Sequence, residues 1–479
     1  MNTSRRLLPW VLPTLLALHG CGADPADPAT TPTAPRPGPD PWAAELRLSR
    51  PVDRNPDPRV VEIDLEARVA EWEVSPGRRV RGMTYNGSVP GPLIEARVGD
   101  TVVVHFTNRL DEPTTIHWHG LRVPANMDGA AHSQPPIAPG ATFEYRFTVP
   151  DAGTFWYHPH VHEGVQMERG LYGAIVVRGD REPRADVEGV LMLDDLLLGP
   201  DGQIAPPGDL VEQHNGREGL LSLVNGRAGA ELPIRAGQRQ RWRIVNAGSA
   251  RFYRIALPGH RFTIVGTDGG PIQTPRVVDE LFLVPGDRLD VLIDGAASPG
   301  STATMQNLPY ARGHGAGLTE AVDVLQVRYS TEAAVPTLPP PAAGPRIEPL
   351  PTSGVTPRVV TFNERIDRDS EQVVFMINGQ SFPNVPDVVT RVGATEVWDL
   401  VNESEMEHPF HLHGFFFQVI SRNGVPEAEL SWEDMTQLRG SERVRIAFRV
   451  DDRPGHWMYH CHILEHIGNG MMAAMHVTP

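Results

Sequence analysis

The chain is organised around the stretch Tyr459-His460-Cys461-His462-Ile463-Leu464-Glu465-His466-Ile467-Gly468-Asn469-Gly470-Met471, near the C-terminus. From His460 to Met471 it holds a thiol, three imidazoles and a thioether, a donor set that suits copper better than other common metals. If the stretch is a strand, Cys461 points to one side and its two histidine neighbours point to the other. One short peptide then reaches two metal sites, roughly 10 Å apart.

The alternative is a buried polar cluster of histidines beside an ordinary core cysteine. The chain has 19 histidines among 479 residues, which predicts fewer than about one His-x-His pair by chance. Five occur: His117/His119, His158/His160, His160/His162, His411/His413 and His460/His462. This excess favours metal ligands.

Length and composition predict an all-β protein of several domains. A chain of 479 residues is long enough for roughly three domains of about 150 residues each. It has 47 prolines and 46 glycines, which favour short strands and turns. The net charge of −16 argues against nucleic acid binding and predicts an acidic surface.

The N-terminus predicts export. Arg5 and Arg6 precede an apolar run from Leu7 to Leu18, which fits an export signal over residues 1–21 and is too short to span a membrane by itself. Leu18-His19-Gly20-Cys21 resembles a bacterial lipobox, with Cys21 lipidated, and Ser4-Arg5-Arg6-Leu7-Leu8 resembles a twin-arginine signal. A plain signal peptide followed by a coincidental cysteine is the alternative. Either way we expect a periplasmic or cell-envelope protein, with any membrane contact made through a lipid on Cys21.

The remainder of the chain divides by composition. The strand-like segments and their turns predict β-sandwiches, and with Cys461 as the second cysteine no structural disulfide is expected in the mature chain. The predicted parts are a disordered Pro-rich tether at 22–58, a first domain at 59–179, a second at 180–334, a Pro-rich linker at 335–357 and a third domain at 358–479.

An internal repeat links the first and third domains. Asn108 stands nine residues before His117-Trp118-His119-Gly120, and Asn402 stands nine before His411-Leu412-His413-Gly414. Gly153-x-x-x-Tyr157-His158-x-His160 likewise matches Gly455-x-x-x-Tyr459-His460-x-His462. In the second domain the corresponding positions after Asn246 are Ile255 and Leu257. This pattern predicts a duplicated sandwich whose middle copy lacks metal ligands.

The two outer domains each carry two His-x-His pairs. Residues i and i+2 of a strand share a face, so bringing the two domains together supplies eight imidazoles at one interface. Eight neutral histidines suit three copper ions and leave open positions for a small ligand.

Four motifs together resemble those of the multicopper oxidases, the laccase-like three-domain family that includes bacterial members. They are His117-Trp-His-Gly, Tyr157-His-Pro-His, His408-Pro-Phe-His-Leu-His-Gly and His460-Cys-His-x-x-x-His-x-x-x-x-Met, and the likeness extends from about Arg59 to the C-terminus. The resemblance implies three cupredoxin-like Greek-key β-sandwich domains and four copper ions.

The resemblance also implies a ligand set. The type 1 copper takes His408, Cys461 and His466, with Met471 as the weak axial ligand and Met472 left to the core. The type 2 copper takes His117 and His411. The type 3 pair takes His119, His158, His160, His413, His460 and His462.

In this family, one-electron oxidations of a reductant supply the electrons that reduce O₂ to water. The resemblance implies that electrons enter at His466 or His408 near the surface and pass through Cys461 to His460 and His462. Asp128 matches an acid that follows the first motif and is predicted to relay protons, the alternative being a turn-forming Asp before Gly129. Several bacterial relatives carry Glu after the last type 1 histidine, where this chain has Ile467.

The remaining histidines match no ligand position. His162 is expected to lie behind the ligands or to be merely polar. We expect the others outside the signal segment to be surface or structural residues: His105, His132, His214, His260, His314, His456 and His476.

Three functions compete. A laccase-like oxidase of phenols or aromatic amines is favoured because, with 13 methionines in all, the chain has no methionine-rich insertion. A metallo-oxidase of Cu(I) or Fe(II) would be favoured by an acidic patch near the type 1 site, for which the candidates are Glu405, Glu407, Glu433 and Asp434. A non-catalytic copper-binding protein is disfavoured because the outer domains have lost no ligand. For the oxidases the partners are O₂ and a small-molecule or metal-ion reductant, and a monomer is expected.

Overall fold

The computed structural model describes residues 46–130, 132–367 and 372–479. The predicted export signal at 1–21 and the tether up to residue 45 lie outside the described residues. Within the described ranges, no helix is both long enough and apolar enough to cross a membrane.

The first pair of sheets comes from the N-terminal part of the chain. The strands join in the orders β2-β1-β4-β6 and β3-β8-β7-β5. Their bounds are β1 Val60–Ser75, β2 Arg78–Tyr85, β3 Gly91–Arg97, β4 Thr101–Asn108, β5 His117–His119, β6 Thr142–Thr148, β7 Gly153–His158 and β8 Gly173–Arg178. Along β1, Val61, Ile63, Leu65 and Ala67 are buried while the residues between them are not, as expected for a strand with one face on a core.

The second pair has the orders β10-β9-β12-β17-β14-β15 and β11-β21-β18-β13-β16, with a separate ribbon of β19 and β20. The bounds are β9 Val187–Leu196, β10 Leu221–Val224, β11 Ala230–Ile234, β12 Arg239–Asn246, β13 Tyr253–Ala256, β14 Phe262–Thr267, β15 Gly270–Val278, β16 Glu280–Leu283, β17 Arg288–Asp294, β18 Thr302–Asn307, β19 Tyr310–Ala311, β20 Gly317–Leu318 and β21 Val322–Tyr329.

The third pair has the orders β23-β22-β25-β30-β27-β28 and β24-β32-β31-β26-β29. The bounds are β22 Arg358–Asp367, β23 Gln372–Ile377, β24 Val388–Arg391, β25 Thr395–Asn402, β26 His408–Leu412, β27 Phe417–Arg422, β28 Val425–Pro426, β29 Met435–Leu438, β30 Arg443–Arg449, β31 Gly455–Cys461 and β32 Met472–Thr478. The described residues also form three short α-helices: α1 Glu163–Gln166, α2 Leu210–Asn215 and α3 Leu464–Gly468.

The three sandwiches repeat one topology, and the all-β, cupredoxin-like prediction is confirmed. In each, the first strand pairs in parallel with a strand that arrives later in the chain: β1 with β4, β9 with β12, and β22 with β25. A parallel neighbour cannot be reached through a tight hairpin, so the chain crosses between sheets before it returns.

The repeated asparagine has a structural role in all three sandwiches. Asn108, Asn246 and Asn402 end β4, β12 and β25, and each is buried. Each side-chain amide donates to a backbone carbonyl of the turn that follows, for example Asn402 Nδ2 to Met406 O at 2.6 Å, while each Oδ1 accepts from the backbone N–H two residues on. The asparagine therefore fixes the turn that leads into β5, β13 and β26.

In the second sandwich the strand after this turn carries apolar residues. Ile255 lies in β13, and both Ile255 and Leu257 are buried in its core. The fold was kept and the ligand positions were filled with packing residues.

Residues 46–58 fall inside the predicted tether, yet they pack on the folded body. Leu46 is buried and its carbonyl accepts from Asn225 Nδ2 at 2.7 Å. The Ser49 carbonyl accepts from the Leu93 backbone at 2.7 Å. The disorder prediction is therefore wrong for this part, because Leu46 and Leu48 supply apolar surface that the proline-rich composition hides.

A buried ion network joins the first two sandwiches. Asp290 accepts from the guanidinium groups of Arg243 at 2.9 Å and Arg241 at 2.5 Å. It also accepts from the Thr154 hydroxyl at 2.5 Å, and Thr154 lies on β7, four residues before His158. Burial raises the pKa of Asp290, but the two guanidinium groups outweigh it and hold that pKa below its ordinary value. The network anchors a histidine-bearing strand.

We predict that Asp290→Ala destabilises the protein by about 3 kcal/mol, because two buried cations lose their shared carboxylate while Glu188 still contacts Arg243. Differential scanning calorimetry should show a clear drop in Tm. The matched control is Asp323→Ala, where an exposed carboxylate accepts from Gln306 and its loss should change stability by less than about 0.5 kcal/mol. Equal Tm values for the two variants would contradict the role given to the network.

Candidate metal centre

Eight histidines meet between the first and third sandwiches and form the histidine cluster. They are His117, His119, His158, His160, His411, His413, His460 and His462. They lie on or just after β5, β7, β26 and β31, and all are buried. In the first sandwich His117 pairs across the sheet with His158, and in the third His411 pairs with His460. The predicted interface of eight imidazoles is therefore present.

The imidazoles fall into groups that each draw on both sandwiches. Nε2 of His117 lies 3.4 Å from Nε2 of His411. Nδ1 of His119 lies 3.3 Å from Nε2 of His158, and the His462 ring stands beside both, with centroid distances of 5.0 and 5.6 Å. Nε2 of His460 lies 3.0 Å from Nε2 of His413 and 3.4 Å from Nε2 of His160. The structure thus separates His117 and His411 from two triads, which divide between them the six histidines predicted for the type 3 pair.

Backbone carbonyls set the orientation of four of the rings. A carbonyl oxygen only accepts, so each Nδ1 that faces one carries the proton and Nε2 keeps its lone pair for the centre of the cluster. These bonds run from His117 to Asp128 O, His411 to Asp434 O, His158 to Pro159 O and His460 to Cys461 O, at 2.9 to 3.1 Å.

His462 shows that the cluster fits a metal. Both of its ring nitrogens are buried, and neither has a hydrogen-bond partner within the described residues. Leaving a buried polar group unpaired costs about 1–3 kcal/mol. A cation between His462, His119 and His158 would satisfy it.

The electrostatics of the cluster also suit a metal. Burial lowers the pKa of His119, His158, His413, His460 and His462 well below the ordinary value, and neighbouring imidazoles lower it further. These side chains are therefore neutral at physiological pH, which is the form that binds metals.

A second donor group, the thiol site, lies on the other side of the 460–462 peptide. It consists of His408, Cys461 and His466. Sγ of Cys461 is 3.4 Å from Nδ1 of His466 and 3.7 Å from Nδ1 of His408, and the two Nδ1 atoms are 3.2 Å apart. All three side chains are fully buried. Burial raises the pKa of the Cys461 thiol far above its usual range, so a bound cation is needed to hold it as a thiolate.

The two methionines separate as the sequence predicts. Met471 shares the core cluster of Cys461, and its backbone bonds to both Cys461 and His466, at 3.2 and 2.9 Å. Met472 pairs across the sheet with His460 and packs in a different cluster, with Leu464 and Ile467.

Comparison with known proteins settles the family. Multicopper oxidase family models match residues 66–182, 205–323 and 352–479. The multicopper oxidase MmcO of Mycobacterium tuberculosis is 32% identical over 469 residues, which cover 90% of this chain and 88% of that protein. The chain belongs to the multicopper oxidase family. It is therefore a copper-dependent oxidoreductase.

Solved structures of multicopper oxidases have the same fold. A Campylobacter jejuni multicopper oxidase, described as a metallo-oxidase, is 32% identical and superposes with a TM-score of 0.79 over 90% of this chain and 94% of that one. A laccase-like multicopper oxidase, CueO from Ochrobactrum, described as active towards lignin model compounds, is 27% identical with a TM-score of 0.80 over 90% of this chain and all of that one.

Asp128 touches the histidine cluster of this oxidase directly. Its Oδ2 lies 2.8 Å from Nδ1 of His413 and its Oδ1 lies 3.4 Å from Nδ1 of His117. The carboxylate follows a short 3-10 turn at Ala125–Met127, and Gly129 after it has φ of +80°. The turn is what presents this fully buried carboxylate to the histidines.

Asp434, one of the four candidates for an acidic patch near the thiol site, does not lie at that site. It lies beside the eight histidines, with Oδ1 3.2 Å from Nε2 of His119. Arg288 of the second sandwich donates to Asp434 at 2.6 Å. Burial opposes ionisation, but Arg288 lowers the pKa of Asp434 to about 2. No spacing in the sequence connects Arg288 with Asp434, so only the fold reveals the pair.

Of two further side chains near the histidine cluster, Glu163 contacts a ligand ring and His162 does not. Glu163, the first residue of α1, places Oε1 2.9 Å from Nδ1 of His160. His162 is exposed, with a left-handed φ of 48°, and stays outside the groups of donors. It is the polar residue that the sequence predicts.

The outer edges of the thiol site are covered, so the expectation that His466 or His408 lies near the surface is wrong. His466 Nε2 donates to the carbonyl of His214 on α2 at 3.0 Å, and Phe375 stacks on the His466 ring at 3.9 Å. Nε2 of His408 lies 3.0 Å from the Ser404 hydroxyl and 3.4 Å from Oε2 of Glu364. Sequence reasoning missed Glu364 and α2 because both approach from parts of the chain without metal motifs.

We predict that Asp434→Asn weakens metal binding by the histidine cluster about 10–100-fold, because the His119 ring loses its charged partner. Copper content after dialysis against a graded chelator series measures the change. The blue absorption of copper bound to Cys461 should persist and serves as the internal control. Copper loss from the cluster at the same chelator concentration as in the wild type would contradict this role for Asp434.

Proposed function

We propose that this multicopper oxidase couples four one-electron oxidations of a reductant to the reduction of O₂ to two waters. One observation carries the proposal: Cys461 lies in the thiol site, and its two chain neighbours, His460 and His462, lie in separate triads of the histidine cluster. Electron entry and O₂ reduction are thus joined by covalent bonds. From its N-terminal sequence we further propose that the protein is exported to the periplasm or cell envelope, with Cys21 as the site of lipid attachment.

The proposed occupancy is four copper ions. His408, Cys461 and His466 would hold the type 1 ion, with Met471 as a weaker fourth ligand. His117 and His411 would hold the type 2 ion, and the two triads would hold the type 3 pair. Copper bound at these positions supplies one-electron redox chemistry and the binding of O₂.

The protein positions these groups and connects them. The bond from His460 Nδ1 to the Cys461 carbonyl, at 2.9 Å, gives the electron path a hydrogen-bonded branch beside the covalent one. The second sandwich contributes Arg288, whose charge keeps Asp434 ionised against the cluster. Full burial of the donors excludes bulk water from the histidine cluster and the thiol site.

Proton supply is assigned to carboxylates that touch ligand rings. Asp128 contacts the ring of His413 and, as a proposed catalytic residue, holds and relays protons there. Ile467 is buried among Met167 and Leu464, so the position at which several relatives carry Glu is apolar here. Glu163, on the ring of His160, is the second carboxylate in contact with the cluster.

The reductant class has two candidates. Phenols or aromatic amines are supported by the sequence and by the laccase-like relative. A metal ion is supported by the contact of Glu364 with His408 and by the relative described as a metallo-oxidase. In both cases the donor acts without touching the buried His466 and His408 rings.

Oxygen uptake by the copper-loaded protein, with a methoxyphenol and with Cu(I) as donors, tests the proposal. We predict that Cys461→Ser lowers uptake about 100-fold or more with either donor, because the link between the sites is cut. His105→Gln, a half-buried residue of the first sandwich, should leave uptake unchanged.

Unchanged uptake in Cys461→Ser would contradict the electron path. Accumulation of peroxide in place of water would contradict the four-electron reaction. No uptake with either donor, despite four bound copper ions, would favour a copper-binding protein.

A further inference from the structure

Two histidines and a carboxylate gather directly outside the thiol site. His214 lies on α2, His314 lies in the turn between β19 and β20, and Glu364 lies on β22. The His214 and His314 rings are 4.9 Å apart between centroids, and Nε2 of His314 is 3.7 Å from Oε1 of Glu364. Two elements of the second sandwich and one of the third thus bring three metal-binding side chains together.

Each of the two thiol-site imidazoles is linked to this group. Oε2 of Glu364 lies 3.4 Å from Nε2 of His408, and the backbone carbonyl of His214 accepts from Nε2 of His466. An ion bound by His214 and Glu364 would therefore be separated from the imidazoles of His466 and His408 by a single protein residue in each case. Electron transfer over such short bonded paths needs no direct contact between donor and thiol site.

The Glu364 side chain is largely buried at this position. It is 9% exposed, and its buried Oε2 has no hydrogen bond of good geometry. A buried, incompletely paired anion facing two imidazoles is the arrangement that a cation completes.

The group of His214, His314 and Glu364 can be reached from solvent, and the net charge of the protein favours cations. The His314 side chain is 34% exposed, so an ion can enter from outside. The nearby cation Arg312, two residues before His314, donates through Nε to Glu218 at 2.8 Å. With a net charge of −16, the protein as a whole attracts cations.

Three of the four acidic candidates from the sequence are engaged elsewhere, and the fourth, Glu405, is exposed. Glu407 accepts from the Tyr310 hydroxyl at 2.8 Å, and Glu433 accepts from Ser431. Asp434 belongs to the histidine cluster. Glu364 is the carboxylate that reaches a thiol-site ligand.

We propose that His214, His314 and Glu364 form a binding site for Fe(II), which is the reducing substrate of this oxidase. Two imidazoles and one carboxylate with open positions are a donor set typical of Fe(II), whereas Cu(I) prefers sulfur ligands. Each Fe(II) gives one electron to the thiol site and leaves as Fe(III). Four of them, with four protons from solvent, reduce one O₂ to two waters. The inference rests on the proposed oxidase function and changes the expected role of both histidines from surface or structural to substrate binding.

Steady-state oxygen uptake by the copper-loaded protein tests the site through a ratio. We predict that His314→Gln lowers kcat/KM for Fe(II), relative to kcat/KM for a methoxyphenol, about tenfold or more. The matched control is His105→Gln, because the His105 side chain is 33% exposed and also faces a carboxylate, that of Glu62, at 2.8 Å. The control should leave the ratio unchanged. A ratio that does not move in His314→Gln overturns the proposal, and so does a wild type that prefers Cu(I) to Fe(II).

A binding measurement separates this proposal from the oxidase function itself. Zn(II) takes imidazole and carboxylate ligands and is redox-inactive. In the copper-loaded protein we expect His314→Gln and His214→Gln each to bind one Zn(II) fewer than the wild type and His105→Gln, and Zn(II) to inhibit Fe(II) oxidation competitively in the wild type. Equal Zn(II) binding by all four proteins overturns the site. Absence of oxygen uptake with every donor would overturn the oxidase function, while Zn(II) binding would still report on the site.

Discussion

The structure depends on one constraint: eight imidazoles must share a buried interface with ring nitrogens turned toward one another. Nitrogen atoms of different rings approach to 3.0–3.4 Å, and neither nitrogen of His462 has a hydrogen-bond partner in the part of the chain that the structure describes. Cations between the rings turn this unfavourable arrangement into a favourable one. The outer nitrogens are fixed by carbonyls and by Asp128, Asp434 and Glu163, so the protein holds the rings ready for metal. The free energy of metal binding thus joins the first and third sandwiches.

The repeated sandwich explains how such an interface arises. The buried asparagine turn places a short strand at the same point of each copy, and His-x-His on that strand gives two ligands on one face. The middle copy, which has no His-x-His pair, contributes in other ways. It supplies Arg288 to Asp434, the Arg241 and Arg243 pairs behind β7, and α2 over the thiol site. The middle sandwich is therefore part of both metal centres although none of the predicted ligands lies in it.

The sequence was sufficient for whatever depends on local spacing. Strand alternation around Cys461 predicted two sites on opposite faces, and the spacing after Cys461 separated Met471 from Met472. It was insufficient where a side chain arrives from a distant element. Asp434 could not be placed at either site, the covering of His466 was not foreseen, and Glu364 went unnoticed, because each depends on how separate elements pack. Residues 46–58 show the opposite error, since proline-rich composition concealed two leucines that join the cores.

The most direct test of this account is a crystal structure of the copper-loaded protein, with copper located by anomalous diffraction. The account predicts one copper bounded by His408, Cys461 and His466, and three more among the eight histidines, with His462 bonded to one of them. A fully loaded crystal with no copper beside His462, or with copper at Cys461 but none in the cluster, would contradict it.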